Sequence, residues 1–200
     1  MEKGLNHIFP LPLFIDQAEG SEYQSIHKEL TDVRSKLIFN DTGSHMILND
    51  DPFRSHFLSQ YKCSHTLNFI NSSIKSYINS LYGESNIKWK VIESWMTKTI
   101  TGRSSREHSH NQVDISGVYY LDTNGKDGNL VLNNVHPHLV ANALLTDVYK
   151  YGDLELPLEN GIMMLWPSQL RHRTLVNQTD HERISISFNV ILERKGMSLN

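Results

Sequence analysis

Apolar residues at Tyr23, Ile26, Leu30, Val33 and Leu37 recur every three or four positions. That period predicts a helix from Ser21, with Ser21 itself as a plausible N-cap. A second stripe, Leu67, Ile70, Ile74, Ile78 and Leu81, predicts a helix that begins at Ser64 and stops at Gly83. Ahead of both, the proline-broken apolar stretch Ile8 to Ile15 suits an edge strand or an extended lead-in. Residues 40–58 between the helices are polar and irregular.

After Gly83 the period shortens to two. Trp89 to Ile100 alternates in short apolar and polar steps, and later runs are separated by turn signals. Asp122 to Gly128 is rich in residues that tolerate positive φ, which predicts a hairpin-type turn leading into a strand at Leu130-Val-Leu132. Ile162 to Trp166 is expected as a buried strand and Arg183 to Leu192 as the last one. Helices first and strands later predict a mainly β fold, a barrel or jelly roll buttressed by N-terminal helices. No internal repeat or linker divides the chain, so residues 1–200 are expected to form one domain, with 1–88 as helical buttress and 89–192 as β core.

Two hundred residues suffice for one buried core. The net charge of -3 and dispersed basic residues give no electrostatic case for nucleic acid. Cys63 is the only cysteine, which excludes an intramolecular disulfide and any cysteine-rich metal site; it reads as a small buried residue or an incidental thiol. The first residues lack the charged and apolar regions of a signal peptide, and no apolar run is long enough to span a membrane. The expectation is a cytoplasmic protein; oligomeric state is not readable.

Chemistry concentrates in two segments. In His108-Ser-His110 the two imidazoles share one face if the chain is extended, so their nitrogens can converge on one ion. A bare His-x-His is common in surface loops, but this one runs directly into Asp114-Ile-Ser-Gly-Val-Tyr-Tyr-Leu121. The same parity, absent a bulge, carries Asp114, Ser116, Val118 and Tyr120 on that face. The second segment approaches His172 through Trp166-Pro-Ser-Gln-Leu-Arg and continues to Arg183-Ile-Ser-Ile-Ser-Phe-Asn189. There Arg183, Ser185, Ser187 and Asn189 share one face and Ile184, Ile186, Phe188 and Val190 the other. A face so polar meets water or lines a polar pocket. Arg183 could pair at the surface with Glu182 or Asp180; in a pocket, Arg183 and Ser185 suit a dicarboxylate, with Tyr120 reaching the same anion. Three histidines with open positions beyond suit mononuclear non-haem iron.

Taken in order, His-x-His, Ser116-Gly-Val-Tyr-Tyr120, Gly161…Trp166-Pro-Ser168…His172 and Glu182-Arg-Ile-Ser185…Ser187-Phe-Asn189 resemble the Fe(II)/2-oxoglutarate-dependent dioxygenase superfamily. The likeness is greatest to small 2OG-Fe(II) oxygenases of marine bacteria and phages. It covers residues 89–192, with a weaker likeness in the lead-in. The resemblance implies a double-stranded β-helix, or cupin-like jelly roll, with Fe(II) near its open end. By position it makes His108 and His172 metal ligands, and Arg183, Ser185 and Tyr120 the anchor for the distal carboxylate of 2-oxoglutarate. Most of the superfamily has Asp or Glu two residues after the first histidine, where this chain has His110. A carboxylate would add negative charge that imidazole does not, yet three histidines remain a workable facial set. His110 is therefore the expected third ligand. Asp114 is the alternative carboxylate ligand, or else a second acceptor or substrate contact. His136 and His138, flanking Pro137, form another pair suited to an exposed or lid position.

The implied reaction consumes 2-oxoglutarate and O2, hydroxylates an unidentified substrate and releases succinate and CO2. It needs no side chain as general acid or base, so no catalytic residue beyond the metal centre is expected. Two rivals stay open: a three-histidine dioxygenase that needs no 2-oxoglutarate, which would leave Arg183 and Ser185 without a purpose, and a non-enzymatic jelly-roll binding module. Substrate-selecting residues are expected within 40–58 and 133–160, where loops vary most freely.

Overall fold

In the large antiparallel sheet of this protein, alternate residues of the central strands serve two different cores, and that division places the site. The computed structural model describes residues 11–41, 47–49, 56–83, 86–134 and 152–194. The elements are β1 (Phe14–Gln17), α1 (Gly20–Arg34), β2 (Phe39–Asp41), β3 (Ile47–Asn49), α2 (Phe57–Gln60), α3 (Ser64–Tyr82), β4 (Ile87–Thr99), β5 (Ile115–Asp122), β6 (Leu130–Leu132), β7 (Leu154–Leu156), β8 (Ile162–Pro167), β9 (His172–Thr174) and β10 (Arg183–Arg194). Seven strands pair in the order β1-β8-β5-β10-β4-β3-β2, and a second sheet has the order β7-β6-β9.

One face of the large sheet packs on the helices. Tyr119 and Leu121 of β5, Met163 and Leu165 of β8, and Ile184, Ile186, Phe188 and Val190 of β10 join Ile26, Leu30, Ile70, Ile74 and Ile78 in one buried cluster. The other face turns toward the small sheet. There Val118, Tyr120, Met164 and Trp166 meet Leu130, Leu132, Leu156, Leu158 and Leu170. Period-two alternation along β5, β8 and β10 thus sorts residues between a helix-facing core and the interior of a double-stranded β-helix. Gly117 of β5 lies where the ring of Phe188 closes on the backbone, and a Cβ there would collide with it.

Several expectations need correction. The first helix starts at Gly20 with Glu19 at the N-cap and no capping side chain, so Ser21 lies inside it and Leu37 beyond its end. The α3 stripe turns further than its sequence suggested: Phe69, Ser73 and Tyr77 are buried, whereas Leu81 is exposed. Within 40–58, described residues form parts of β2, β3 and α2. Asp122 to Gly128 does not make a hairpin. Both sides of β5 are already occupied, by β8 and β10, so the chain crosses to the small sheet. Asp127 shapes the crossing by accepting from Thr123 Oγ1 at 2.6 Å and from the Asn124 amide at 3.0 Å. The edge strand of the lead-in is realised at Phe14–Gln17; residues 8–10, the pair His136 and His138, and residues 135–151 lie outside the described residues. Cys63 is buried, and burial pushes its thiol up to about 12, which makes it inert. No helix among the described residues is long and apolar enough to cross a membrane.

Candidate metal centre and co-substrate pocket

The pocket opens between the sheets, lined from β4 by Trp95, Thr97 and Thr99, from β5 by Ser116, Val118 and Tyr120, and from β10 by Arg183, Ser185 and Ser187. Its empty space is about 560 Å³, open mouth included. At one end His108 and His172 face each other in an antiparallel bridge, each amide donating to the other's carbonyl at 3.0 and 2.8 Å. His110 is pinned by its own amide, which donates to the Ser168 carbonyl at 2.9 Å, while the Ser168 hydroxyl donates to the Val113 carbonyl. Backbone pairing therefore brings the three imidazoles together from two separate segments. One ring nitrogen from each lies within 4.8 Å of the others, a spacing that could hold a metal ion.

Hydrogen bonds to the remaining nitrogens fix which lone pairs are free. His108 Nδ1 donates to the Arg106 carbonyl at 2.7 Å and His172 Nδ1 to the Leu170 carbonyl at 2.9 Å. His110 Nδ1 donates to Asn189 Oδ1 at 2.6 Å. A carbonyl oxygen can only accept, so Nδ1 carries a proton in all three rings, and in a neutral ring Nε2 is then the nitrogen with the lone pair. Burial pushes His172 down from 6.5 to about 4, with the neighbouring imidazoles acting in the same direction. Burial also lowers His108, joined by His110 and Arg171. Neutral imidazoles are the ligating form.

At the other end sits Arg183, only 2 % exposed. Its Nη1 donates to the Asp127 carbonyl at 2.9 Å and to the Gly128 carbonyl, and its Nη2 to Thr99 Oγ1 at 3.3 Å. Its Nε is buried with no acceptor. Among the described residues no carboxylate forms an ion pair with Arg183; Glu182 instead pairs with Lys98 and Arg34. Nε and Nη2 share one edge of a guanidinium, the edge that grips a carboxylate in two parallel hydrogen bonds. On that edge Nε has no acceptor and Nη2 meets only a neutral hydroxyl, so the buried cation is matched to an anionic ligand. Tyr120 and Ser185 are cross-strand partners beside it, and Ser185 also faces Thr97, whose hydroxyl is buried and unpartnered. Burial holds the Tyr120 phenol at about 12 despite the pull of Arg183, so it stays a neutral donor.

The expected residues His108, His110, His172, Arg183, Ser185 and Tyr120 all line this pocket. Asp114 does not. Its carboxylate accepts from the Leu192 amide at 2.7 Å, and it is outside the histidine cluster. Parity failed because residues 109–114 are not a strand, and Gln112 adopts φ 69°. Trp95, Thr97 and Thr99 went unnoticed, although continuing the alternation of β10 onto its neighbour β4 would have found them. Trp166, at the end of its strand, packs in a T-shaped arrangement on His172 with ring centroids 5.0 Å apart.

Residues 93–189 match the family model described as "Putative 2OG-Fe(II) oxygenase". No curated protein matches the chain. Among solved structures, the fold is similar to HygX from Streptomyces hygroscopicus with nickel, 2-oxoglutarate and hygromycin B bound, at TM-score 0.58 and 12% identity over 93% of this chain and 84% of that one. It is similar to the non-haem alpha-ketoglutarate-dependent carbocyclase SnoK from nogalamycin biosynthesis, at TM-score 0.63 and 13% identity over 90% and 79%. A Pseudomonas putida prolyl-4-hydroxylase aligns at TM-score 0.52 and 16% identity over 92% and 93%. Its matched core, residues 93–189, and the double-stranded β-helix around it make the chain similar to the 2OG-Fe(II) oxygenases.

Proposed function

We propose that this protein is an Fe(II)- and 2-oxoglutarate-dependent dioxygenase that hydroxylates its substrate and releases succinate and CO2. One observation carries the reading: a single pocket is lined by a convergent three-imidazole cluster and by a buried guanidinium whose Nε has no acceptor. His108, His110 and His172 would hold the iron, and Arg183, with Ser185 and Tyr120, the distal carboxylate of 2-oxoglutarate. When bound, ferrous iron supplies the redox chemistry that lets dioxygen react.

The chain's own part is binding and orientation. Neutral imidazoles offer lone pairs without first shedding a proton. The ties from Arg183 to the Asp127 and Gly128 carbonyls keep its Nε side aimed, so a dicarboxylate can dock with little ordering cost. Leu130 and Val118 add apolar surface to the pocket lining. Bound 2-oxoglutarate in HygX and hydroxylation in the Pseudomonas putida relative support this reading, while SnoK is a carbocyclase on the same fold. We further propose that the chain acts as one domain in the cytoplasm; the core shared by helices and large sheet supports the first part.

The test is anaerobic visible spectroscopy of metal-free protein loaded with Fe(II) and titrated with 2-oxoglutarate. A weak charge-transfer band needing both, and absent in Arg183→Ala, is the expected result. Iron binding without that band would favour the three-histidine enzyme that uses no 2-oxoglutarate. Absence of iron binding would leave a binding module. Hydroxylation itself is read from succinate release coupled to an oxygenated product.

A further inference from the structure

His110 stands where most of the superfamily has a carboxylate, and it is held differently from the other two histidines. His108 and His172 donate to backbone carbonyls, whereas His110 donates to a side chain, Asn189 Oδ1, at 2.6 Å. Asn189 Nδ2 in turn donates to Glu93 Oε2 at 2.7 Å. Ser116 Oγ donates to the same Asn189 oxygen at 3.2 Å. The row is built into the sheet, because Asn189 of β10 lies opposite Glu93 of β4 and Ser116 of β5. A bulge follows at once, with Asn189 against Glu93 but Val190 against Val91, and bulges re-aim side chains beside active sites.

Glu93 dictates the polarity of the row. A carboxylate accepts and cannot donate, so the Asn189 amide must turn its NH2 to Glu93 and its oxygen to His110. The reverse orientation would set the amide oxygen against the carboxylate. With an acceptor oxygen facing it, His110 Nδ1 must carry the proton, which leaves Nε2 free toward His108 and His172. Asn189 is buried, and Glu93 is half-buried in a surface groove with Asn111, Gln112 and Val113.

We propose that Glu93 is a positioning residue for the metal centre: through Asn189, its carboxylate fixes the His110 tautomer and returns to that ligand part of the negative charge that a carboxylate at position 110 would have provided. The charge is moved two links outward rather than lost. Hydrogen-bonded carboxylates behind ligand histidines raise ligand basicity in this way. The inference rests on the reading of the three histidines as metal ligands.

The test uses Ni(II) titrated calorimetrically into metal-free full-length protein, together with 15N NMR of the His110 ring. In wild type the metal-free ring should be the Nδ1–H tautomer. Glu93→Gln should mix the tautomers and weaken Ni(II) binding by roughly 10- to 100-fold. The double change Glu93→Gln with Asn189→Asp should recover most of that loss, because it swaps the order of carboxylate and amide while keeping charge and hydrogen bonds. Equal Ni(II) affinity in Glu93→Gln would overturn the proposal, as would an Nε2–H ring in wild type or no recovery in the double variant. The wild-type tautomer needs no variant, so it decides even if Glu93→Gln fails to fold. Wild type that binds no Ni(II) while keeping the Nδ1–H ring would instead sink the metal reading, and the proposal with it.

Discussion

Arg183 Nη1 donates to the Asp127 carbonyl at 2.9 Å, so the loop that carries the chain between the sheets also orients the guanidinium proposed to hold 2-oxoglutarate. Asp127 itself is buried, and its carboxylate is occupied by Thr123 and Asn124. Arg183 is thereby fixed through Nη1, while its Nε has no acceptor. Replacing it by lysine keeps a positive charge but cannot both tie to the loop and fork a carboxylate. Hydrogen bonds to charged groups contribute about 1.5–3 kcal/mol each. Losing one or two of them predicts roughly 100-fold weaker 2-oxoglutarate binding in Arg183→Lys, with Ni(II) affinity little changed. Titration of Ni(II)-loaded protein with 2-oxoglutarate measures it; unchanged affinity would remove Arg183 from the clamp.

Gly128 separates the two ends of the site experimentally. Its φ is 97°, and a Cβ there would strike the Leu175 carbonyl oxygen and come within 3.1 Å of Arg183 Nη1. Gly128→Ala should cost about 2 kcal/mol or more of stability. Because its carbonyl is an anchor for Arg183, 2-oxoglutarate affinity should fall while Ni(II) affinity, set at the histidine end, stays within a factor of about two. A variant that lost both equally would show general unfolding rather than a displaced clamp.

The histidine cluster makes the metal-free fold acid-sensitive. Burial lowers His172 from 6.5 to about 4 in the folded state, so between those values the unfolded chain binds more protons. Stability therefore rises with pH: the neutral imidazole's contribution is complete above about 6.5 and is lost as pH falls toward 4. Linkage puts the loss from His172 at about 2 kcal/mol between pH 8 and pH 5, with His108 adding in the same direction. Urea unfolding of metal-free protein at the two pH values checks this, and His172→Gln should flatten the dependence. An unchanged slope in that variant would show that His172 does not carry the effect.

Strands were legible because each buries two unlike faces, which leaves an alternation in the sequence. The split of Arg183, Ser185 and Ser187 from Ile184, Ile186 and Phe188 is the clearest case, and it maps directly onto pocket and core. What stayed hidden depends on partners far along the chain. Nothing local says that β5 is flanked by β8 and β10, so Asp122 to Gly128 read as a hairpin. Glu93 lies 96 residues from Asn189, and only their pairing across the sheet reveals the row behind His110. Asp114 failed for the opposite reason: parity is a local rule, and one left-handed residue, Gln112, cancels it.

The start of α3 depends on such a distant partner. Its N-cap residue, Cys63, makes no side-chain capping bond. Glu29 of α1 takes that role, accepting from the His65 amide at 3.0 Å, the Thr66 amide at 2.9 Å and Thr66 Oγ1 at 2.7 Å. A carboxylate there satisfies amides that have no partner within the helix and sits against the positive end of its dipole. It also clamps two helices that pack on the same sheet face. Glu29→Ala should therefore cost about 1–2 kcal/mol, as loss of a cap does. Glu29→Gln, which can still accept but lacks the charge, should recover part of it. Denaturant unfolding of both variants measures the difference. Metal and 2-oxoglutarate affinities should be unaffected, because the clamp lies on the helix side of the sheet and the pocket on the other. A stability change below about 0.3 kcal/mol in Glu29→Ala would mean that solvent caps α3 equally well.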